Sequence, residues 1–429
     1  MTKYDVAIIG GGILGTSISY WLSTLFDIQV CVIDKESDVG MHASSRNTGV
    51  VHSPFYLDPQ KKKILAKSAF LSYDLWKTFA EKNELPWKIV GTLEIALNED
   101  QHKILEKYME WGVNNGIPQS DLELLDGSEV LKKEQNVSCH SAVFCKCDAV
   151  VDYGMFTKQL KKESEKNGTK FLLNHKVRSI EKGPKLNFEN NSYITANLII
   201  NCAGGNSLDI AKMFGMAQEY SDLHFRGEYW IAQKEYTNLV KTNVYSVAKF
   251  NDFPFLDPHW ILRIDGRSEV GPNAVPVPSP ETYSGYIGDA ETLISKISEI
   301  ITGNAKKLLS NPDFVSLISK EWLSSISKTA MIDRVKQFIP KIKSSFFSER
   351  GTAGIRTPLI TPDGTFLPDV MELENEISYH VLNYNSPGAT GAPAYSAYIV
   401  KKLENRGFLD YTHSTKDSIW NFEKIMAQT

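Results

Sequence analysis

Residues 4–34 constrain the fold more than any other stretch of the chain. Tyr4-Asp5-Val6-Ala7-Ile8-Ile9 is a short, β-rich apolar run, the pattern of a strand buried on both faces. Gly10, Gly12 and Gly15 follow at G-x-G-x-x-G spacing, and Leu14, Ile18, Leu22 and Leu25 then recur along one face of a helix. Gln29-Val30-Cys31-Val32-Ile33 reads as a second buried strand, closed by Asp34. Strand, glycine turn, helix, strand and acid stand in the order a dinucleotide site requires. Gly10 permits the tight bend, Gly12 lets the backbone approach a pyrophosphate, and Gly15 allows close helix–strand packing, while the helix N–H groups face the phosphate charge. Asp34 is placed to accept hydrogen bonds from a ribose diol. FAD and NAD both use this element, so the motif alone leaves the two open.

The remainder of the chain separates them. Residues 60–82 predict an amphipathic helix with Ile64, Ser68, Leu71, Leu75 and Phe79 on one stripe and Lys61 to Lys63 as its solvated first turn. A strand (GTLEIAL), a helix near 99–115 and an irregular Cys-containing stretch follow. A second βα segment covers a helix from Asp152 to Asn167, strands at Lys170 to Leu173 and Val177 to Ile180, and a buried strand from Leu198 to Gly204. Residues 224–273 are rich in Tyr, Phe, Trp, Pro and hairpin signals such as Asp265-Gly266, and predict an antiparallel sheet. Helical periodicity returns at 285–350, and 353–403 carries strands, an Asp363-Gly364 turn and a closing helix. At 429 residues the chain has room for two or three domains. Nucleotide-type segments scattered through the sequence suit a flavoprotein threaded by FAD better than one contiguous NAD block. The expected class is therefore α/β, an α+β composite with a Rossmann-like FAD-binding domain (1–85, 150–215 and 353–410). A discontinuous antiparallel-sheet substrate domain (86–149 and 216–352) and a C-terminal helical tail (411–429) complete it.

The segment Gly40 to His52, GMHASSRNTGVVH, resembles the flavin-contacting loop of the D-amino-acid oxidase-like FAD oxidoreductases. Val151-Asp152-Tyr153-Gly154, Asn201-Cys202-Ala203-Gly204, Ala353-Gly354-Ile355-Arg356 and Ser386-Pro387-Gly388-Ala389-Thr390 match in the family's order across nearly the whole chain. Within that superfamily the chain resembles most the L-2-hydroxyglutarate oxidases and dehydrogenases. Phe225-Arg226-Gly227-Glu228-Tyr229, the Pro254-Phe255-Leu256 block with His259, and Arg263-Ile264-Asp265-Gly266 leading to Gly271-Pro272-Asn273-Ala274 carry that likeness. Asp34 stands where the superfamily usually has Glu.

The resemblance implies oxidation of an L-2-hydroxy acid to the 2-oxo acid, with hydride passing to flavin N5. Besides the glycine motif with Ile13 and Leu14, it implies FAD contacts at Asp34, Lys35, Ser44, Ser45, Asn47, Gly49, Val50, Val177, Ala203, Gly204, Gly354, Pro387, Gly388, Ala389 and Thr390. Arg356 is the expected carboxylate clamp, because a planar guanidinium holds a carboxylate bidentately. His52 is the expected base and His259 its rival. Arg226 or Tyr245 is assigned to a distal carboxylate, with pairing of Arg226 to Glu228 as the equal alternative, and His42 to a polar loop role in preference to covalent flavin attachment. The alternatives are an amine or amino-acid oxidase of glycine or sarcosine type, a glycerol-3-phosphate dehydrogenase-like enzyme, or a non-catalytic flavin-binding subunit.

Charge and cysteine usage bound the partners. With 47 Lys plus Arg against 51 Asp plus Glu the formal charge is -4, which gives no reason to expect nucleic acid. Cys31, Cys139, Cys145, Cys147 and Cys202 are too few and too irregular for a disulfide framework or a zinc site, so they read as structural thiols in a reducing compartment and no metal is expected. The first residues lack a secretory pattern, so the Asn136, Asn167 and Asn190 sequons read as unused. No stretch approaches the roughly 18 uncharged apolar residues of a membrane span. The expected partners are a small 2-hydroxy acid and an electron acceptor (oxygen, a quinone or an electron-transfer protein), in the cytoplasm, with peripheral membrane contact left open.

Overall fold

The computed structural model describes residues 2–428 apart from 182, 249–252, 254, 256 and 289. Pro254 and Leu256 of the substrate-segment likeness therefore fall outside the described residues.

The first apolar run forms the strand Lys3–Ile9, paired in parallel with Val30–Ile33 on one side and Tyr193–Asn201 on the other. Lys170–Leu172 extends the parallel set beyond Val30–Ile33, and Ser378–Leu382 extends it beyond Tyr193–Asn201. These strands continue into an eight-stranded sheet. Their side chains alternate between two covered faces. Val6 and Ile8 point into one core with Ile18, Trp21, Trp76, Phe79 and Tyr395, while Ala7 and Ile9 point into another with Cys31, Ile33 and Ile199. Continuous burial on both faces is why the strands read as unbroken apolar runs. The helices Ile13–Leu25, Lys63–Lys82, Tyr153–Lys166 and Gly388–Asn405 supply residues of the first core.

A second eight-stranded sheet is drawn from Thr92–Ala96, Leu122–Asp126, Ser141–Cys145, Trp230–Ala232, Asn243–Ser246, His259–Leu262, Ser268–Gly271 and Phe347–Arg350. Its Leu93, Ile95, Val244, Trp260 and Val270 pack against Met331, Ile332 and Val335 of the helix Lys328–Lys336. The hairpin through Asp265-Gly266 forms as expected. Two details differ from the sequence reading. Asn243–Ser246 runs parallel to Thr92–Ala96, and His224–Gly227 leaves this sheet to pair with Val275–Val277 and Gly354–Arg356. That small sheet carries the segment 354–356 against the second half of the molecule.

The Lys61 to Lys63 run is not a uniform solvated turn. The helix begins at Lys63, and Lys62, just before it, is half-buried. Residues 411–428 return to the first core, where Trp420, Phe422 and Ile425 are buried. Trp420 stacks among Trp21, Trp76 and Phe79, with ring centroids 5.3–5.7 Å away.

Candidate active site

At the carboxyl ends of the parallel strands two adjoining cavities share Gly12, Ala43, Ser44, Cys202, Gly204 and Ile355. Together they form one long cleft at the point where the strand order reverses, the place where open α/β sheets take ligands. One end is built mainly from backbone. Gly10 sits at φ +108, and a Cβ there would collide with the Cys202 carbonyl. A Cβ on Gly15 would strike the Gly10 carbonyl, whereas one on Gly12 would meet only Ser44 Oγ at 3.2 Å. Gly10 and Gly15 thus close the turn, and Gly12 leaves it open toward the cleft. The Ile13 N–H donates to Ser44 Oγ at 2.9 Å, tying the helix start to the 40–52 loop.

Asp34 braces this end: its Oδ2 accepts the Gly11 N–H at 2.7 Å and its Oδ1 the Glu36 N–H at 2.9 Å. It lines the cleft with Lys35, Val177, Ala203 and Gly204. Lys35 is shared between Glu36 and Glu281, at 2.5 and 2.7 Å. His42 is at this end too, its Nδ1 2.7 Å from Tyr283 Oη and its Nε2 3.0 Å from Glu36 Oε1. Both ring nitrogens therefore have protein partners, which fits the polar loop role.

The other end is built from side chains. Ile13, Leu14, Asn47, Val50, Gly354, Pro387, Gly388, Ala389 and Thr390 line it together with His52, Tyr245, His259 and Arg356. Ser45, Gly49 and Gly15 do not line it. Gly49, at φ +74, donates its N–H to Asn47 Oδ1 at 2.8 Å and shapes the loop. Ser45 sits behind the wall, its Oγ donating to the His42 carbonyl and its Cβ facing Gly154.

Around this end the ring of Tyr245 stacks on His259 at 4.0 Å and meets His52 edge-on at 5.7 Å. Tyr245 Oη and His259 Nε2 are buried without a hydrogen-bond partner. Two orphaned polar atoms in one wall call for a ligand, since buried polar groups are otherwise satisfied. Burial pushes His259 down to about 3, so its ring is neutral. Its Nδ1 is 3.0 Å from the Asp257 carbonyl.

Behind His52 stands Asp148, a residue that sequence reasoning left inside an irregular stretch. Its carboxylate is fully buried, with Oδ2 3.4 Å from His52 Nδ1. Thr92 Oγ1 donates to Oδ2 at 2.7 Å and the Ser53 N–H to Oδ1 at 2.8 Å, so Asp148 is rigidly held. Glu94, on the neighbouring strand, is pushed up to about 8 by burial and by Asp148, and is protonated at neutral pH. Arg356 lines the cavity, and burial lowers the proton affinity of its guanidinium, partly offset by Tyr229 and Tyr56. Burial and the nearby Arg356 also hold the Lys62 ammonium below its usual range.

Of the two readings of Arg226, its surroundings match the pairing with Glu228. Its side chain is buried away from the cavity, with Nη2 2.9 Å and Nε 3.2 Å from Glu228 Oε1. Its Nη1 donates to the carbonyls of Thr282, at 3.1 Å, and Gly285. A guanidinium with these partners anchors the 282–285 loop.

The cleft fits a dinucleotide-sized flavin on three counts: the backbone cradle at Gly12, the helix start beside it, and the orphaned polar atoms beyond it. The family described as FAD dependent oxidoreductase matches residues 5–402. The chain is 31% identical to the L-2-hydroxyglutarate dehydrogenase of Indibacter alkaliphilus, over 91% of this chain and 96% of that protein. It is 29% identical to the mitochondrial L-2-hydroxyglutarate dehydrogenase of Caenorhabditis elegans, over 95% and 94% of the two chains. In fold it is similar to the FAD-bound L-alpha-glycerophosphate oxidase of Mycoplasma pneumoniae, with TM-score 0.73, 21% identity and 98% of each chain covered. The chain belongs to the FAD dependent oxidoreductase family.

Proposed function

We propose that this FAD dependent oxidoreductase converts an L-2-hydroxy acid to the 2-oxo acid, and that the acid is L-2-hydroxyglutarate, the compound in its relatives' names. The observation that carries the reading is one cavity holding both Arg356 and His52, with buried Asp148 behind the histidine. Bound FAD supplies the acceptor for the hydride that leaves the substrate carbon. Gly10, Gly12, Asp34, Lys35, Val177, Ala203 and Gly204 would hold its nucleotide part, and Ser44, Asn47, Val50, Gly354 and Pro387 to Thr390 its other end.

The chain's own groups do the rest. Arg356 binds the carboxylate beside the reacting carbon, where two parallel N–H···O bonds fix orientation as well as charge. A proton on His52 Nδ1, facing Asp148 Oδ2, leaves Nε2 to take the proton of the substrate hydroxyl. Asp148 sets that tautomer and stabilises the charged ring that results, in the way a buried carboxylate serves a catalytic histidine. Tyr245 Oη, which has no protein partner, is a donor for the distal carboxylate. Lys62 adds a second cation near Arg356, which favours a dicarboxylate over a neutral side chain.

In this reading the parallel sheet and its helices form the cofactor domain, and the second large sheet forms the substrate domain. The electrons then pass to oxygen, a quinone or an electron-transfer protein. Five free cysteines favour a reducing, cytoplasmic setting. Among the described residues no helix is long and apolar enough to cross a membrane.

Anaerobic mixing of the purified yellow protein with L- and D-2-hydroxyglutarate, other 2-hydroxy acids, amino acids and glycerol 3-phosphate tests the reading. Bleaching by L-2-hydroxyglutarate alone is expected. Bleaching by amino acids or glycerol 3-phosphate, with none by L-2-hydroxyglutarate, overturns it.

A further inference from the structure

Behind the cavity wall the strand Ser141–Cys145 ends in a thiol, and a second thiol, Cys147, follows after one residue. Cys145 Sγ and Cys147 Sγ are 3.5 Å apart. The buried Cys145 S–H donates to Asp148 Oδ1 at 3.4 Å, and the half-buried Cys147 Sγ is 3.1 Å from Ser53 Oγ. The other oxygen of Asp148 is the one that faces His52. A run of contacts thus leads from a half-buried sulfur, through a buried thiol and a buried carboxylate, to a histidine in the cavity wall. No other sulfur pair makes such a contact among the described residues.

We propose that Cys145 and Cys147 are a dithiol modification site, which hydrogen peroxide closes to a disulfide, and that closure reaches His52 through Asp148. The two sulfurs have unequal roles. Cys147 is half-buried and is the sulfur that peroxide reaches, whereas Cys145 is buried with its S–H directed at Asp148. Cys147 therefore reacts first and Cys145 is the partner that resolves it. The Cys147 thiolate attacks one peroxide oxygen, the O–O bond breaks, hydroxide leaves, and the sulfur becomes a sulfenic acid. Cys145 Sγ then attacks that sulfur; the S–S bond forms, and the sulfenic oxygen leaves as water with the Cys145 proton. In sum two thiols are oxidised to one disulfide and one peroxide is reduced to two waters.

The sulfurs must close from 3.5 Å to about 2.05 Å, and Asp148 loses the Cys145 donor. It keeps the Ser53 N–H and the Thr92 hydroxyl. A carboxylate with fewer donors holds a proton on its neighbour more strongly. The coupling to His52 rests on the proposed function; the disulfide does not.

The test uses the yellow holoenzyme, freed of reductant and treated anaerobically with hydrogen peroxide. Intact mass should fall by two hydrogens, and trypsin, which cuts after Lys146, should leave peptides joined through Cys145 and Cys147. The pH profile of flavin reduction by L-2-hydroxyglutarate should move up by several tenths of a pH unit and return with dithiothreitol. Cys147→Ser should show neither change, and Cys139→Ser should behave as the parent. Sulfinic acid, or no mass change, overturns the site, and a disulfide with an unmoved pH profile overturns the coupling. If His52→Ala keeps the parent profile, the proposed base falls while the mass result still decides the disulfide.

Discussion

The two ends of the cleft are made in different ways. The nucleotide end is largely main chain: Gly10 and Gly15 are required by the close approach of carbonyls, and even Asp34 spends its oxygens on the N–H groups of Gly11 and Glu36. The reacting end depends on side chains, with Tyr245 and His259 from the second large sheet, Arg356 from the small sheet of His224–Gly227, and His52 from just after the strand Val50–Val51. A site made from backbone depends on what residues must lack, and a site made from side chains depends on what surrounds them.

The largest expected effect is at the backbone end. Gly12→Val should fold, because a Cβ there meets only Ser44 Oγ at 3.2 Å. It should purify colourless, because the added methyls occupy the face that would approach the pyrophosphate. Gly15→Val, whose Cβ collides with the Gly10 carbonyl, should instead lose helix signal and yield. Circular dichroism and flavin content separate the two. A Gly12→Val protein with full flavin content would contradict the comparison.

The same contrast explains what was legible in the sequence. The glycine turn, both flanking strands and the first helix could be read because their rules are local: a positive φ, a close approach, an apolar period. Asp148 could not be read, because its meaning arises only when Thr92–Ala96 pairs with Ser141–Cys145 and brings Thr92 to its carboxylate. The sequence left Arg226 open between a distal carboxylate and Glu228 for the same reason. A cation near a substrate segment suggests a carboxylate ligand, but Glu228 two residues on and the carbonyls of Thr282 and Gly285 occupy it. Lys62 reads in the sequence as part of a charged surface run, although its position before the helix Lys63–Lys82 half-buries it near Arg356. The parallel pairing of Asn243–Ser246 with Thr92–Ala96 joins residues far apart in the chain, which no local pattern signals.

Within the reacting end the two histidines sharpen the comparison. Both touch Tyr245, but only His52 faces a buried carboxylate. His52→Ala should slow flavin reduction in single-turnover mixing by roughly 10²–10⁴-fold, the usual contribution of a positioned base. His259→Phe, which keeps an aromatic ring against Tyr245, should cost less than roughly tenfold. Reversal of that order would move the base to His259.

The smallest effect concerns stability, and it isolates burial from catalysis. The His259 ring is 1% exposed, and burial lowers it from its ordinary 6.5 to about 3. The folded state therefore keeps this ring neutral across a range in which the unfolded chain protonates it. Its contribution to stability is complete above the unfolded value and is lost progressively as pH falls from 6.5 toward 3. At pH 5 the loss is about 2 kcal/mol, from 1.36 kcal/mol per unit. His259→Phe removes that titration. It also removes the bond to the Asp257 carbonyl, but that cost is the same at every pH. Thermal melts at pH 7.5 and pH 5 should therefore fall further apart in the parent than in His259→Phe, by a few degrees. The similarly buried His224 and His380, each lowered to about 4, and the raised Glu94 remain in both proteins and contribute equally to both slopes. Equal slopes in the two proteins would mean that His259 takes up its proton in the folded state, and would return it to contention as a base near neutral pH.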